Sequence, residues 1–182
     1  MKVEKICQVA IIGAGYMAGE HIRVFQDIPG VCIAGIHSRT KARAEQIAAQ
    51  FGIAKVCNSI EELYQATQAD LVIVTVPELE MNGVSRACFN YPWVALLEKP
   101  AGYNYADALE IEAAARSNHS RVFVALNRRH YSSTQAVTKD LQGLSGLRFI
   151  RVEDQEDQIR ALDAGQPRLV VDNWMYANSI HV

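Results

Sequence analysis

Two short segments carry residue types whose spacing points to chemistry. Gly13-Ala14-Gly15-Tyr16-Met17-Ala18 fits GxGxxG/A and sits between an apolar, strand-like run and a helical pattern, the context in which this motif signals dinucleotide binding. Gly13 would permit the tight turn and Gly15 would let the backbone approach a pyrophosphate. Ala18 would pack the helix closely on the sheet, while the free N–H groups that open the helix at Tyr16 and Met17 face the anion. The alternative is a glycine turn that serves the fold and holds no nucleotide. About 20 residues further on, an acid normally bonds the ribose 2′-OH and selects NAD. Here the chain reads His37-Ser38-Arg39-Thr40-Lys41. No carboxylate repels a 2′-phosphate, and a guanidinium can bind one bidentately or stack on the adenine, so Ser38 and Arg39 favour NADP, with NAD as second choice. The alternative is an Arg at a solvated helix start.

These residues need a sheet to hold them. Apolar runs rich in β-branched residues predict strands over Gln8 to Ile12, Val31 to Ile36, Ala54 to Cys57, Leu71 to Val76, Val94 to Leu97 and Val122 to Leu126. Most are hydrophobic at every position, as strands covered on both faces must be. Lys41 to Phe51 and Tyr105 to Ser117 repeat apolar residues at helical spacing, Gly52 follows where a left-handed cap belongs, and Ser59 with Glu62 has capping-box spacing. The alternation predicts an α/β, Rossmann-type doubly wound parallel sheet over residues 1–127. Residues 128–182 read as a linker helix near Ser132 to Gly143, an extended segment Leu147 to Glu153, and the start of an incomplete second α+β domain.

The chain has 182 residues with 18 Lys+Arg against 20 Asp+Glu and a formal charge of −2. A nucleic-acid binder needs a concentrated basic stripe, which this balance does not offer. No apolar run approaches the ~20 residues of a membrane span, and the start of the chain does not read as a secretion signal, so a cytoplasmic protein is expected. Cys7, Cys32, Cys57 and Cys88 lack CxxC or zinc spacing and read as buried thiols; no metal site is expected. His21, His37, His119 and His130 have no partner at ligand or triad spacing and read as structural or exposed.

Val74-Thr75-Val76-Pro77, Glu98-Lys99-Pro100 and Asn127-Arg128-Arg129, each ending a predicted strand, together resemble the glucose-fructose oxidoreductase / inositol dehydrogenase / rhizopine-catabolism (Gfo/Idh/MocA) dehydrogenases. The Glu-Lys-Pro element in register with the glycine turn is the specific part. The resemblance implies that Thr75, Pro77, Glu98, Lys99 and Asn127 join the cofactor site. It also implies that Lys99 lies between nicotinamide and the substrate hydroxyl, often before a cis proline bond, and that His181 acts as general acid/base. Two positions depart from the family pattern: Ala177 stands where an aspartate commonly precedes that histidine, and Met81 where a histidine often follows the strand-end proline. They point away from the family's usual polyols or toward weak catalysis.

With NADP favoured by Ser38 and Arg39, the resemblance implies an NADP-dependent oxidoreductase acting on a secondary alcohol or ketone of a sugar, nucleotide sugar or polyol, and a homo-oligomer built through the second-domain sheet. A non-catalytic dinucleotide-binding regulator is the competing class. The family's second domain needs on the order of 150 further residues, so a truncated cofactor-binding fragment is a third reading.

Overall fold

Six apolar runs pair into one parallel sheet: β1 (Cys7–Ile12), β2 (Val31–His37), β3 (Val56–Cys57), β4 (Leu71–Val74), β5 (Val94–Leu97) and β6 (Val122–Val124). This computed structural model describes residues 6–147, 149, 151, 153 and 155–177. The strand order is β3-β2-β1-β4-β5-β6, with every pair parallel. The chain therefore reverses direction across the sheet between β1 and β4, which opens a crevice at the carboxyl ends of those strands. Five helices make the crossovers: α1 (Tyr16–Gln26), α2 (Lys41–Phe51), α3 (Ile60–Thr67), α4 (Glu78–Cys88) and α5 (Tyr105–Ser117).

Side chains alternate across a strand, so β1 feeds two cores. Ala10 and Ile12 join Val72, Val74, Leu63, Met81 and Ile111 on the face covered by α3, α4 and α5. Val9 and Ile11 join Ile73, Ala18, Ile22, Ala44 and Ala48 on the face covered by α1 and α2. Met81 is only 1% exposed. At that position a methionine adds apolar burial worth roughly 1.5–3 kcal/mol and contributes no polar group to the crevice. Gly52 closes α2 in the left-handed conformation at φ 70°. Ser59 caps α3 by accepting from the Glu62 N–H, but the Glu62 carboxylate returns to the Asn58 N–H, one residue upstream of the reciprocal bond expected of a capping box.

The structure trims several expectations. β3 starts at Val56, β4 stops at Val74 and β6 stops at Val124. At β6 the Leu126 N–H bonds the Val124 carbonyl, turning the chain before a one-turn 3₁₀ helix at Asn127–His130. β6 is also not covered on both faces. Phe123 pairs beside Leu96 on the α1 and α2 side, beyond the reach of those helices, and is 62% exposed. The linker helix is α6 (Ser132–Leu141), and α7 (Gln158–Asp163), α8 (Arg168–Asp172) and α9 (Trp174–Ala177) follow. None of the described residues in 147–153 belongs to a strand, and Leu147 and Phe149 lie in solvent. Of the four cysteines, Cys57 and Cys88 are buried, Cys7 is half-buried and Cys32 is exposed, because Cys32 points outward at the start of β2; all are free thiols. Burial pushes the Cys88 thiol up to about 12.

Gly13 sits where β1 meets its neighbours. Its φ is +107°, and a Cβ there would lie 2.6 Å from both the carbonyl oxygen and the hydroxyl of Thr75. Gly13→Ala should therefore destabilise the fold by about 2 kcal/mol or more, since the obstructing carbonyl belongs to backbone that cannot swing away. Urea unfolding midpoints of the two proteins would measure it.

Candidate functional site

The glycine turn is pinned from both sides. The Gly13 N–H donates to the His37 carbonyl at the end of β2 (2.9 Å), and the Thr75 N–H and hydroxyl both donate to the Ile12 carbonyl (2.8 and 3.1 Å). The turn is thereby held between the ends of β2 and β4, and α1 starts at a fixed point above the crevice. Gly15 is the N-cap of α1; among the described residues no side chain accepts from the first N–H groups, and the first turn holds no acid. Such a terminus carries unpaired donors and the positive end of the helix dipole. A Cβ on Gly15 would meet nothing within 4 Å, so the space beside the bare backbone is open to a group that must approach it closely. The donors and the room fit the pyrophosphate of a dinucleotide.

A cleft of about 650 Å³ opens there. The sequence-derived candidates Gly13, Gly15, Tyr16, Met17, Ser38, Arg39, Thr75, Pro77, Glu98 and Lys99 all line it. They arrive from the ends of β1, β2, β4 and β5, as the strand order dictates. Asn127 stands outside this lining, in the 3₁₀ turn after β6. His181 lies outside the described residues. Thr40, Arg43, Glu78, Glu80 and Gln166 also face the cleft, and sequence reasoning had not marked them. Among the described residues no group of three or more His, Cys, Asp or Glu gathers to hold a metal.

Two side-chain pairs, each with one carboxylate, give the cleft contrasting ends. At the β5 end, Glu98 is only 9% exposed. One oxygen accepts from the Lys99 N–H (3.0 Å) and the other from His21 Nε2 on α1 (2.8 Å). His21 is thus not without a partner. Ala18, His21, Ile22 and Phe25 fall at i, i+3, i+4 and i+7, which turns the imidazole toward the sheet, where a polar ring must be satisfied. That helical spacing was the available signal, but the partner lies 77 residues away, beyond any local rule. Burial drives the Glu98 carboxyl upward, yet the His21 hydrogen bond, the Lys99 N–H and the charges of His21 and Lys99 together outweigh it and hold the group below its ordinary value. The Lys99–Pro100 peptide is cis.

At the β2 end, Arg39 Nη1 donates to Glu80 Oε1 at 2.6 Å, with the side chains 78% and 48% exposed. Pairs this exposed contribute about 0–1 kcal/mol. The Glu98 cluster is built into the fold, whereas the Arg39 pair can exchange its partner.

A carboxyl held below its ordinary value stabilises the fold wherever it is ionised, and that contribution is lost as pH falls through the depressed value, below about pH 4.3. Glu98→Gln should lower stability at pH 7 and flatten the acid side of the stability profile. Urea midpoints taken from pH 7 down to pH 3 would show both effects.

Residues 7–126 match the family described as oxidoreductase family, NAD-binding Rossmann fold. The trans-1,2-dihydrobenzene-1,2-diol dehydrogenase of Mus musculus is 29% identical over 147 residues, which cover 79% of this chain and 44% of that protein. The 4-carboxy-2-hydroxymuconate-6-semialdehyde dehydrogenase of a Sphingobium species is 24% identical over 176 residues, 96% of this chain and 56% of that one. The chain spans about half the length of these curated relatives. An oxidoreductase from Agrobacterium radiobacter, solved with NAD+, L-tartaric acid and magnesium, has the same fold at a TM-score of 0.70 and 22% identity, over 76% of this chain and 40% of that one. A match that begins with the first residue of β1 and ends two residues past β6 follows the whole parallel sheet, and on that ground the chain belongs to the Gfo/Idh/MocA oxidoreductase family.

Proposed function

We propose that this chain supplies the cofactor half of an NADP-dependent cytoplasmic oxidoreductase, which transfers a hydride between nicotinamide and a secondary alcohol or ketone of a sugar, nucleotide sugar or polyol. The observation that carries the reading is a shared cleft: Arg39 and Lys99 line one cavity on either side of the glycine turn. When bound, the nicotinamide supplies the hydride acceptor or donor. The chain's own residues do the rest. The open N–H groups of α1 hold the pyrophosphate, and Ser38 with Arg39 holds the 2′-phosphate.

Lys99 orients the substrate oxygen and offsets the negative charge that develops on it, a contribution felt most in the transition state. Glu98 fixes the backbone from which that lysine projects. His181 acts as general acid/base in the role that the family resemblance implies. The mouse relative's name is that of a diol dehydrogenase, which agrees with a secondary alcohol as substrate. The substrate pocket and a homo-oligomeric interface belong to the second-domain sheet in this reading, and the exposed Phe123, Leu147 and Phe149 supply apolar surface for such packing.

NADPH should bind at least several-fold more tightly than NADH, because a charge-assisted contact to phosphate is worth about 1.5–3 kcal/mol. Arg39→Asp should move the preference toward NADH. Titration of nicotinamide fluorescence at physiological salt checks both, and equal dissociation constants in the unmodified chain would defeat the NADP assignment. In a chain carrying the completed second domain, Lys99→Met should keep NADPH binding and lose ~10²-fold or more in turnover. Undiminished turnover with both substrates saturating would remove Lys99 from the chemistry.

A further inference from the structure

The Arg39–Glu80 pair joins parts of the chain 41 residues apart. Arg39 follows β2 and Glu80 lies in the first turn of α4, after β4, so the bond passes over the carboxyl end of β1, which lies between those two strands in the sheet. It spans the cleft that the glycine turn opens into. Both side chains line that cleft and are largely solvated, so the pairing is governed by charge more than by packing. Among the described residues, the Arg39 side chain makes one hydrogen bond, from Nη1 to Glu80.

We infer that Glu80 is a specificity-determining residue of the cofactor cleft: its carboxylate competes with the cofactor's 2′-phosphate for the Arg39 guanidinium and sets the margin by which the phosphorylated cofactor is preferred. The inference rests on the cofactor reading above. A 2′-phosphate that engages Arg39 must displace the Glu80 carboxylate or share one cation with it. Sharing sets a phosphate dianion beside a carboxylate, and the two repel at short range. Glu78, also facing the cleft, adds to that repulsion, and Arg43 opposes it. A cofactor with a free 2′-hydroxyl makes no such demand and leaves the Arg39–Glu80 bond intact. Glu80 therefore weakens phosphorylated cofactor selectively, and the preference expressed by the chain is smaller than Arg39 could give alone.

The test is the ratio of dissociation constants, NADH over NADPH, for the unmodified chain and for Glu80→Gln, each with Arg39 and with Arg39→Gln. Adenosine 2′,5′-bisphosphate and AMP serve as a second pair of probes that need only the adenosine end of the cleft. With Arg39 in place, Glu80→Gln should raise the ratio about three- to tenfold, through tighter binding of the 2′-phosphorylated member of each pair. In the Arg39→Gln background the change should stay within about twofold. An unchanged ratio with Arg39 present, an equal rise in both backgrounds, or no binding of either 2′-phosphorylated probe to Glu80→Gln would overturn the inference. The parent reading fails separately, if the unmodified chain binds NADH as tightly as NADPH or more tightly, and a ratio that Glu80→Gln still raises would uphold the role of Glu80 even then.

Discussion

The carboxyl end of β1 governs the rest of the molecule. Three hydrogen bonds, from the Gly13 N–H to His37 and from Thr75 to Ile12, tie the ends of β1, β2 and β4 together at the point where the chain reverses direction across the sheet. They leave room only for a glycine at position 13. Once that turn is fixed, α1 begins with its unpaired N–H groups above the crevice, and the loops after β2 and β4 become opposite walls of one cleft. An open α/β sheet gathers its ligand-binding groups at this kind of reversal because neighbouring crossover helices there lie on opposite faces.

The cleft is held by two electrostatic arrangements of different strength. Glu98 is buried, and a buried carboxylate without partners would cost several kcal/mol. Here both oxygens accept hydrogen bonds, from α1 and from the residue that follows it. The pair thus links the first helix to the fifth strand and sets the backbone of Lys99 relative to the glycine turn. Arg39 and Glu80 meet in solvent, where an ion pair gains little and gives way easily. In the proposed reading, rigidity at the lysine end would hold a reacting group in place, and exchangeability at the arginine end would admit a charged ligand.

Beyond β6 the chain offers less to bury. Phe123 has no helix over it, Leu147 and Phe149 face solvent, and the described residues after α6 form only the short helices α7 to α9. Gln166, which follows α7, nevertheless lines the cleft at the glycine turn. The later part of the chain therefore contributes to the site although it adds no strand among the described residues. The relatives extend to about twice the matched length, and their additional sequence is where the remaining walls of a substrate pocket belong in the proposed reading.

Much of this was legible from local pattern. Strand and helix identities follow from the period of the apolar residues, the glycine turn from its spacing in a strand-turn-helix context, and the cap of α3 from Ser59 and Glu62, because each of these signals acts within one turn or one strand. Even the gathering of ten candidate residues in one cleft was foreseeable once the segments were assigned to strand ends, since a parallel sheet brings all its carboxyl ends to one side. Other features were set by contacts between distant segments. His21 finds Glu98 across 77 residues and Arg39 finds Glu80 across 41, and no spacing rule relates residues on separate strands and helices. Met81 turns into the core because of the face on which α4 packs, and Phe123 stays exposed because the sheet extends beyond the reach of α1 and α2. Hydrophobic period and glycine placement are enough to assign the strands, the helices and the glycine turn from the chain alone, because they act within a few residues. Which charges meet could be read only from the folded chain, because pairing depends on distances that packing creates.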